Sequence, residues 1–270
     1  DNYLHGEIMV NRMHADTRIQ SVELLLQEQV PPVTVIQGTG TEDVQSISRF
    51  EKVITSIPPW KVPVNTAIPQ MHILSNGNFE VLISNMGSGY LKWRETDLTR
   101  WQPDPVLDPW GTWIYIQDQT ESYKDSGKIW SAAYQPLPGE AENMQVSFHA
   151  HMVVFRRVVN QLVSAMEVAV SPDDPVEIRK ISIQNNSNQI RNLRITSYGE
   201  VILAPQATDA QHPAFNKLFI ESEYVESQGL QIFSRRPRSK TEAPLLMGHM
   251  LISKNNDLKV RHESNRNLFI

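Results

Sequence analysis

The hydrophobic positions of the chain follow a helical period near the start and an alternating period over most of the remainder. Apolar residues recur at helical spacing over residues 16–29, between an aspartate placed as an N-cap and a pair of prolines that ends the pattern. The apolar positions are Ile19, Val22, Leu25 and Leu26. Asp16 is placed as the N-cap, and Pro31 and Pro32 end the pattern. The pattern predicts one short helix over residues 16–29.

Beyond residue 71 the pattern changes to short runs rich in β-branched and aromatic residues, which are separated by turn-forming clusters. The runs are FEVLISN, TWIYIQD, KIWSAAYQ, MQVSFHA, MVVFRRVV, LVSAMEVAV, VEIRKISIQN, LRITSYGEVILA, KLFIESEYV, LQIFSRR, PLLMGHMLIS and LKVRHES. About a dozen strands without intervening helices predict an all-β antiparallel sandwich rather than βαβ units.

Apolar and polar residues alternate within several runs, which predicts that one face of each sheet is buried. Val168 and Val170, for example, fall on the opposite face from Glu167. The alternation slips between Ile178 and Ile181. Such a slip indicates a β-bulge or a strand that is covered on both faces.

These patterns divide the chain into a helical lead-in over residues 1–32, a connecting arm over residues 33–70 and the sandwich over residues 71–270. The arm is rich in Thr, Gly and Pro, as connecting segments are. The chain ends on the apolar residues Leu268, Phe269 and Ile270. A natural terminus rarely leaves such residues exposed, so we expect the chain to continue into another domain.

Composition argues against several classes of protein. No apolar run approaches the roughly 18 residues of a membrane helix, and the first residues lack the basic and apolar blocks of a secretory signal. The absence of cysteine removes disulfides and thiolate metal sites, and a cytoplasmic setting is favoured. A net charge of −5 and a pI near 5.9 argue against a nucleic-acid partner.

Candidate metal ligands and catalytic acids are few. His149 and His151 would share one face of a strand and could bind a metal together, but no third ligand stands at a telling spacing. The sequence therefore predicts no metal and no cofactor. Asp104, Asp108 and Asp118 flank the tryptophans and could bond a sugar hydroxyl, yet none belongs to a catalytic motif.

Five of the six tryptophans fall within 38 residues, and they are Trp93, Trp101, Trp110, Trp113 and Trp130. Indole rings pack in a sandwich core and also stack on the C–H face of a sugar. Core packing is the safer interpretation for any single ring. A ligand surface is an equal alternative for the cluster as a whole.

The segment 85–101, NMGSGYLKWRETDLTRW, combines a glycine turn with aromatic and guanidinium groups. Gly87 and Gly89 are placed where the backbone takes positive φ or approaches another chain segment closely. We interpret the segment as the loop and strand edge of a carbohydrate site, with core packing as the alternative. At least one of Arg94 and Arg100 should then reach solvent or an anion such as phosphate.

Several long phrases of the sequence are similar to one family. LSNGNFEVLISNMGSGYLKWRETDLTRW, DPWGTWIYIQD and WSAAYQP resemble the N-terminal region of glycoside hydrolase family 94, which includes cellobiose phosphorylase. These segments are most similar to the homologous C-terminal region of cyclic β-1,2-glucan synthases. VNRMHADTRIQSVELLLQEQVP, EVAVSPDDPVEIRKISIQNNS, ITSYGEVILAP and HPAFNKLFIESEY also fit this family.

The resemblance implies a large antiparallel β-supersandwich of the galactose-mutarotase-like kind. In the family this domain precedes a catalytic (α/α)₆ barrel that supplies the general acid, and that barrel is not part of this chain. We therefore expect an accessory, non-catalytic domain of a glucan synthase or phosphorylase, inactive alone, which packs on the barrel and shapes its carbohydrate site. β-1,2-Glucan, inorganic phosphate and the barrel are the implied partners, and the parent would be cytoplasmic or anchored in the bacterial inner membrane.

The residues that match the glycine-loop motif of the family are the carbohydrate-binding candidates: Ser88, Tyr90, Trp93, Arg94, Arg100 and Trp101. The family often has more glycine here and a serine after the tyrosine, whereas this chain has Ser88 and Leu91. Two alternatives stay open, an autonomous carbohydrate-binding module and a domain that forms a homodimer.

Overall fold

The computed structural model describes residues 58–102, 109–120, 128–139, 141–237, 244–253, 258–265 and 268. The chain divides into two units, Asp1–Ser56 and Ile57–Ile270, and all the described residues belong to the second. The predicted helix over residues 16–29, and the arm as far as residue 57, lie outside the described residues.

Strands dominate the described part of the chain. They are β1 Trp60–Val62, β2 Met71–Ser75, β3 Phe79–Ser84, β4 Gly89–Trp93, β5 Thr96–Thr99, β6 Trp113–Asp118, β7 Lys128–Ser131, β8 Asn143–Phe148, β9 Met152–Val159, β10 Leu162–Val170, β11 Glu177–Asn185, β12 Leu193–Tyr198, β13 Val201–Ala204, β14 Ile220–Val225, β15 Leu230–Arg235 and β16 Leu245–Met250. Two short helices, α1 Gln206–Gln211 and α2 Pro213–Lys217, follow β13, and a 3₁₀ turn spans Glu226–Gln228.

The described strands form four antiparallel sheets. Sheet A has the order β1-β8-β9-β10-β11, sheet B the order β13-β5-β4-β3-β2, sheet C the order β12-β6-β7 and sheet D the order β14-β15-β16. Neighbours are joined mainly by short hairpins, for which antiparallel pairing is the natural result. The predicted all-β antiparallel fold is confirmed.

One apolar core joins the sheets, because alternate residues of the strands point to the same side. Val153 and Phe155 of β9 and Val168 of β10 are fully buried, and they belong to the same cluster as Val81 and Ile83 of β3. Phe233 and Met247 of sheet D pack on this cluster while partly buried. The alternation read from the sequence therefore does identify the buried faces.

Some boundaries differ from the sequence-based prediction. The run LRITSYGEVILA contains two strands, β12 and β13, because the pair Gly199–Glu200 interrupts it. The start of KLFIESEYV lies at the end of α2, and the described residues 258–265 contain no strand. Residues 60–62 of the predicted arm form β1, which pairs with β8.

The expected irregularity between Ile178 and Ile181 is wrong. β10 and β11 keep an unbroken register from Leu162↔Asn185 to Val170↔Glu177. Ile181 packs on the core, whereas Ile178 is 54% exposed on the other face of this edge strand. The register shift occurs instead between β13 and β5, where Leu203 adopts a φ of 46°.

Candidate functional site

The glycine turn that joins β3 to β4 is buried along its whole length, from Asn85 to Ser88. Ser84 N donates to Ser88 O at 2.7 Å and Gly87 N donates to Ser84 O at 2.9 Å. The hydroxyls of Ser84 and Ser88 lie 2.7 Å apart. Ser88 is therefore placed inside the protein, where its polar atoms are satisfied by the turn itself.

The two glycines of this segment are required by close packing. A Cβ at Gly87, where φ is +96°, would lie 2.3 Å from Ala133 Cβ. A Cβ at Gly89, where φ is +153°, would lie 1.8 Å from Leu82 O. Only glycine fits both the conformation and the space. The signal that the sequence analysis took for a ligand loop is thus explained by backbone approach within the domain.

Asn85 connects the turn to the segment before β2. Its Nδ2 donates to Pro63 O at 2.7 Å and to Thr66 Oγ1 at 3.0 Å, and its Oδ1 accepts from Gln70 N at 2.9 Å. Asn85 N also donates to Gln70 O at 2.8 Å. These bonds satisfy a fully buried amide, as burial requires.

A buried arginine holds the loop that packs on the other side of the turn. Arg157 of β9 is fully buried, and its guanidinium donates to four backbone carbonyl oxygens at 2.9–3.2 Å: those of Ser131, Ala133, Leu137 and Gly139. Burial lowers the pKa of Arg157, and the hydrogen bonds compensate the desolvated charge. The loop thereby keeps a fixed conformation against Met86, whose carbonyl accepts from Gln135 N at 2.9 Å.

Trp93 and Arg94 lie at the opposite end of β4 from the glycine turn, roughly 16 Å away along the strand. Trp93 packs on the core while partly buried. The Arg94 guanidinium lies 4.8 Å from the centroid of the Trp93 ring, a cation–π distance. Arg94 is exposed and takes a φ of 53° in the two-residue turn between β4 and β5.

Tyr90 and Trp101 lie together on the outer face of sheet B. Their ring centroids are 5.9 Å apart at an interplanar angle of 63°, an edge-to-face contact, and both rings are half-buried. Tyr90 donates its hydroxyl to Glu80 Oε1 at 2.7 Å. Burial, followed by the bond to Glu80 and its charge, raises the pKa of Tyr90, so the hydroxyl remains a donor at neutral pH. We call Glu80, Tyr90 and Trp101 the outer-face site.

A buried carboxyl group lies beside this site. Asp97 of β5 is 8% exposed and is paired in register with Lys92 of β4. Burial raises the pKa of Asp97, and the negative charges of Glu80 and Asp209 act in the same direction, whereas Lys92 lowers it. The outer face of sheet B is therefore rich in polar groups around an aromatic pair.

Arg100 is the centre of a buried ion network rather than a surface group. It donates to Asp209 through Nε at 2.6 Å and Nη2 at 2.7 Å, and to Glu200 through Nη1 at 2.8 Å. Arg100 is 5% exposed. The hydrogen bond to Asp209 raises the pKa of Arg100. A guanidinium that is occupied in this way is not available to a glucan or to phosphate.

The tryptophan cluster divides between two roles. Trp113 and Trp130 are each 3% exposed and belong to the interior, where Trp113 Nε1 donates to Pro109 O at 3.2 Å. Trp101 and Trp110 stay half-buried. The Nε1 atom of Trp101 is buried and has no hydrogen-bond partner among the described residues.

The remaining candidates do not form a site. His149 and His151 lie in the turn between β8 and β9, not on a strand, with ring centroids 6.1 Å apart. Within the described ranges, no three His, Asp or Glu side chains are grouped so that they could hold a metal ion. Asp118 is fully buried and accepts from Arg191 at 2.9 Å. Asp104 and Asp108 lie outside the described residues.

The structure thus brings Tyr90, Arg100 and Trp101 into one region and leaves Ser88 and the Trp93–Arg94 pair outside it. Sequence reasoning missed Asp209, which stands 109 positions after its partner Arg100. Local patterns carry no signal for such a pair. In the part of the chain that the structure describes, no helix is both long and apolar enough to cross a membrane.

Comparison with known proteins gives one family and two relatives. The family model for the glycosyl hydrolase 94 supersandwich domain matches residues 60–270. The chain is 29% identical over 239 residues to the cyclic beta-(1,2)-glucan synthase NdvB of Rhizobium meliloti (strain 1021), over 88% of this chain and 8% of that protein. It is 23% identical over 161 residues to the N,N'-diacetylchitobiose phosphorylase of Vibrio furnissii, over 58% of this chain and 20% of that protein.

Proposed function

We propose, from the premise that the chain belongs to the glycosyl hydrolase 94 supersandwich family, that it is an accessory, non-catalytic domain of a β-glucan-processing enzyme. That enzyme is a cyclic β-1,2-glucan synthase or a β-glucan phosphorylase: one relative is a cyclic beta-(1,2)-glucan synthase, and the other is a phosphorylase, although of N,N'-diacetylchitobiose. Its catalytic residues lie in a separate barrel. This domain packs against the barrel and contributes to the carbohydrate site.

The outer-face site is the observation that carries the proposal. Tyr90 and Trp101 present half-buried rings on the outside of a sheet, next to the carboxylate of Glu80. An aromatic ring beside hydrogen-bonding groups suits a pyranose, whose C–H face is apolar and whose edge carries hydroxyls. The Arg100 network fixes the backbone next to this surface, because Arg100 directly precedes Trp101 in the chain.

The charged groups of the described residues favour a non-catalytic role. The buried carboxylates Asp118 and Asp209 each accept hydrogen bonds from an arginine at 2.6–2.9 Å, so their oxygens are already engaged within the domain. The Ser197 hydroxyl lies 2.8 Å from His249 Nε2, as a nucleophile lies near its base. Both residues are exposed, and the nearby Glu177 accepts from Arg179 at 2.7 Å, so it does not serve to orient the imidazole.

The test of the accessory role has two parts. The purified chain is incubated with β-1,2-gluco-oligosaccharides and inorganic phosphate while glucose 1-phosphate is measured, and we expect no turnover. Sustained turnover that is lost in Ser197→Ala or Asp97→Asn would place the chemistry in this chain and overturn the proposal.

The second part uses the whole enzyme. Trp101→Ala should lower kcat/KM about tenfold, which corresponds to about 1.4 kcal/mol of transition-state stabilisation. Trp60→Ala is the matched control, because Trp60 is 55% exposed on edge strand β1 of sheet A. We expect the control to retain its activity. Equal activity in both variants would remove the outer-face site from the function.

An autonomous carbohydrate-binding module is the second candidate, since the same rings would serve it. The two candidates differ in the affinity of the isolated chain. A glycan array on the purified chain, run beside the whole enzyme, should show binding by the enzyme alone if the role is accessory. Binding by the isolated chain that is lost in Trp101→Ala would favour the module.

A further inference from the structure

A group of apolar side chains lies at the surface on α2 and directly after it. Phe215 is 49% exposed and Leu218 is 75% exposed. Phe219 is half-buried, and its ring centroid lies 5.0 Å from that of Phe215 at an angle of 70°. We call Phe215, Leu218 and Phe219 the α2 knob. Large apolar groups clustered on a surface mark sites of interaction more often than single exposed residues do.

The polar residues of the same segment fix its position on the domain. Asn216 is 1% exposed, and its Nδ2 donates to Asp209 Oδ1 at 3.4 Å. Arg100 Nη2 donates to Pro213 O at 3.3 Å. Lys217 Nζ lies 3.3 Å from Glu200 Oε2. The buried network thus binds the inner side of the segment while the apolar side chains point elsewhere.

The segment is also continuous with sheet D. Phe219 O accepts from Arg236 N at 2.9 Å, and Phe219 directly precedes β14. Leu246 of β16 is 66% exposed near the same end of this sheet, where it pairs with Ser234. The apolar surface therefore has a fixed backbone on both sides, and little conformational entropy would be lost when a partner covers it.

We propose that the α2 knob is the contact through which this domain docks on the catalytic part of its own polypeptide. The inference rests on the proposed accessory function and names the surface that carries it. The chain spans 8% and 20% of the two relatives that it matches, so those proteins have extensive further chain that could cover such a surface.

The size and chemistry of the knob favour this occupant over two others. A stable dimer buries about 800 Å² on each partner, which three side chains do not supply, whereas a tethered domain needs much less because its effective concentration is high. A glucan is disfavoured, since Leu218, the most exposed member of the knob at 75%, offers no ring on which a pyranose could stack.

Photo-crosslinking in the whole enzyme tests the proposal directly. p-Benzoylphenylalanine replaces Phe215 in one variant and Ile190 in the control, because Ile190 is 94% exposed in the turn between β11 and β12. After irradiation and proteolysis, we expect crosslinks from position 215 to parts of the same enzyme molecule that lie beyond the 270 residues of this chain. Position 190 should give at least tenfold fewer. Crosslinks between two copies, or equal yields from both positions, would overturn the proposal.

A second pair of variants separates docking from folding. F215S/L218S should leave the isolated chain with one cooperative melting transition, because Leu218 is 75% exposed and Phe215 is 49% exposed. The melting temperature of this variant chain is the reference for the whole enzyme. In the whole enzyme the same change should release this domain as a separate, lower melting transition that Ile190→Ser does not produce. A single unchanged transition would contradict docking. These readouts do not depend on sugar, so docking and the Trp101 result can fail independently.

Discussion

The two halves of the segment 85–101 differ in what their residues contact. The glycine turn is buried and satisfies its polar groups through its own backbone and through Asn85. The rest of the segment carries the exposed Arg94, the half-buried Tyr90 and Trp101, and the buried Arg100 with its ion network. One continuous segment can therefore pack inside the domain at one end and place its side chains at the surface at the other.

The largest effect that would test this division is that of Arg100→Met. The substitution leaves Asp209, which is 3% exposed, without its arginine, and an uncompensated buried charge costs about 3–5 kcal/mol. Urea unfolding measures the loss. Arg94→Met is the control, which should stay within about 0.5 kcal/mol because Arg94 is exposed. The two arginines are equivalent candidates in the sequence, whereas in the structure Arg100 is buried in an ion network and Arg94 is exposed.

Asp209→Asn provides the decisive partner in a double-mutant cycle. If Arg100 acts by compensating Asp209, the Asn variant should reduce the additional cost of Arg100→Met by a coupling energy of about 1–3 kcal/mol. Strictly additive losses would mean that the ion pair is not the reason for the position of Arg100. Loss of activity with an unchanged unfolding midpoint would return Arg100 to the ligand surface.

Gly87→Ala tests the other half of the comparison, with Gly77→Ala as a matched control. Both glycines have φ near +90°, but an added Cβ would lie 2.3 Å from Ala133 Cβ at position 87 and within 4 Å of nothing at position 77. We expect Gly87→Ala to lower the free energy of unfolding by about 2–4 kcal/mol and Gly77→Ala by about 1–2 kcal/mol. Equal losses in the two variants would show that backbone strain alone, without packing, explains the glycine.

The smallest expected effect concerns Asp97. Burial raises the pKa of Asp97 in the folded protein, so its contribution to stability is full below the unfolded pKa of about 3.9 and is lost as pH rises through the folded pKa. Asp97→Asn should therefore be neutral near pH 3 and stabilising at pH 7, by less than about 1 kcal/mol. Melting temperatures across this range test the sign, and a destabilised variant at pH 7 would show that the Lys92 charge outweighs burial.

Sequence reasoning predicted the fold well because burial in a sandwich follows local alternation. Val168 and Val170 lie on the face that alternation predicts for them. The resemblance to the family, which long segments of the sequence carry, is confirmed by the match over residues 60–270. Ile178 misled the analysis, since an apolar residue on the open face of an edge strand looks like a break in the pattern. Alternation alone does not tell which face of an edge strand is covered.

The candidate site was harder to predict, for a physical reason. Glycine, serine and tryptophan carry no local mark that distinguishes packing from binding, so Ser88 and Trp101 looked equivalent in the sequence. Their difference arises from segments far along the chain, such as the loop at Ala133 that packs on Gly87. The partners of Arg100 stand 100 and 109 positions away. Whether the outer-face site binds glucan stays a prediction.

Arg157 shows how a structure can tolerate change in its sequence. Its four carbonyl partners belong to the backbone, so they are present whichever side chains occupy residues 131, 133, 137 and 139. Leu137 can consequently vary while the path of the loop is retained, whereas Ala133 is also constrained by its packing against Gly87. Among related sequences we expect Arg157 to be retained while the side chain at position 137 varies, because the oxygen that Arg157 binds there belongs to the backbone.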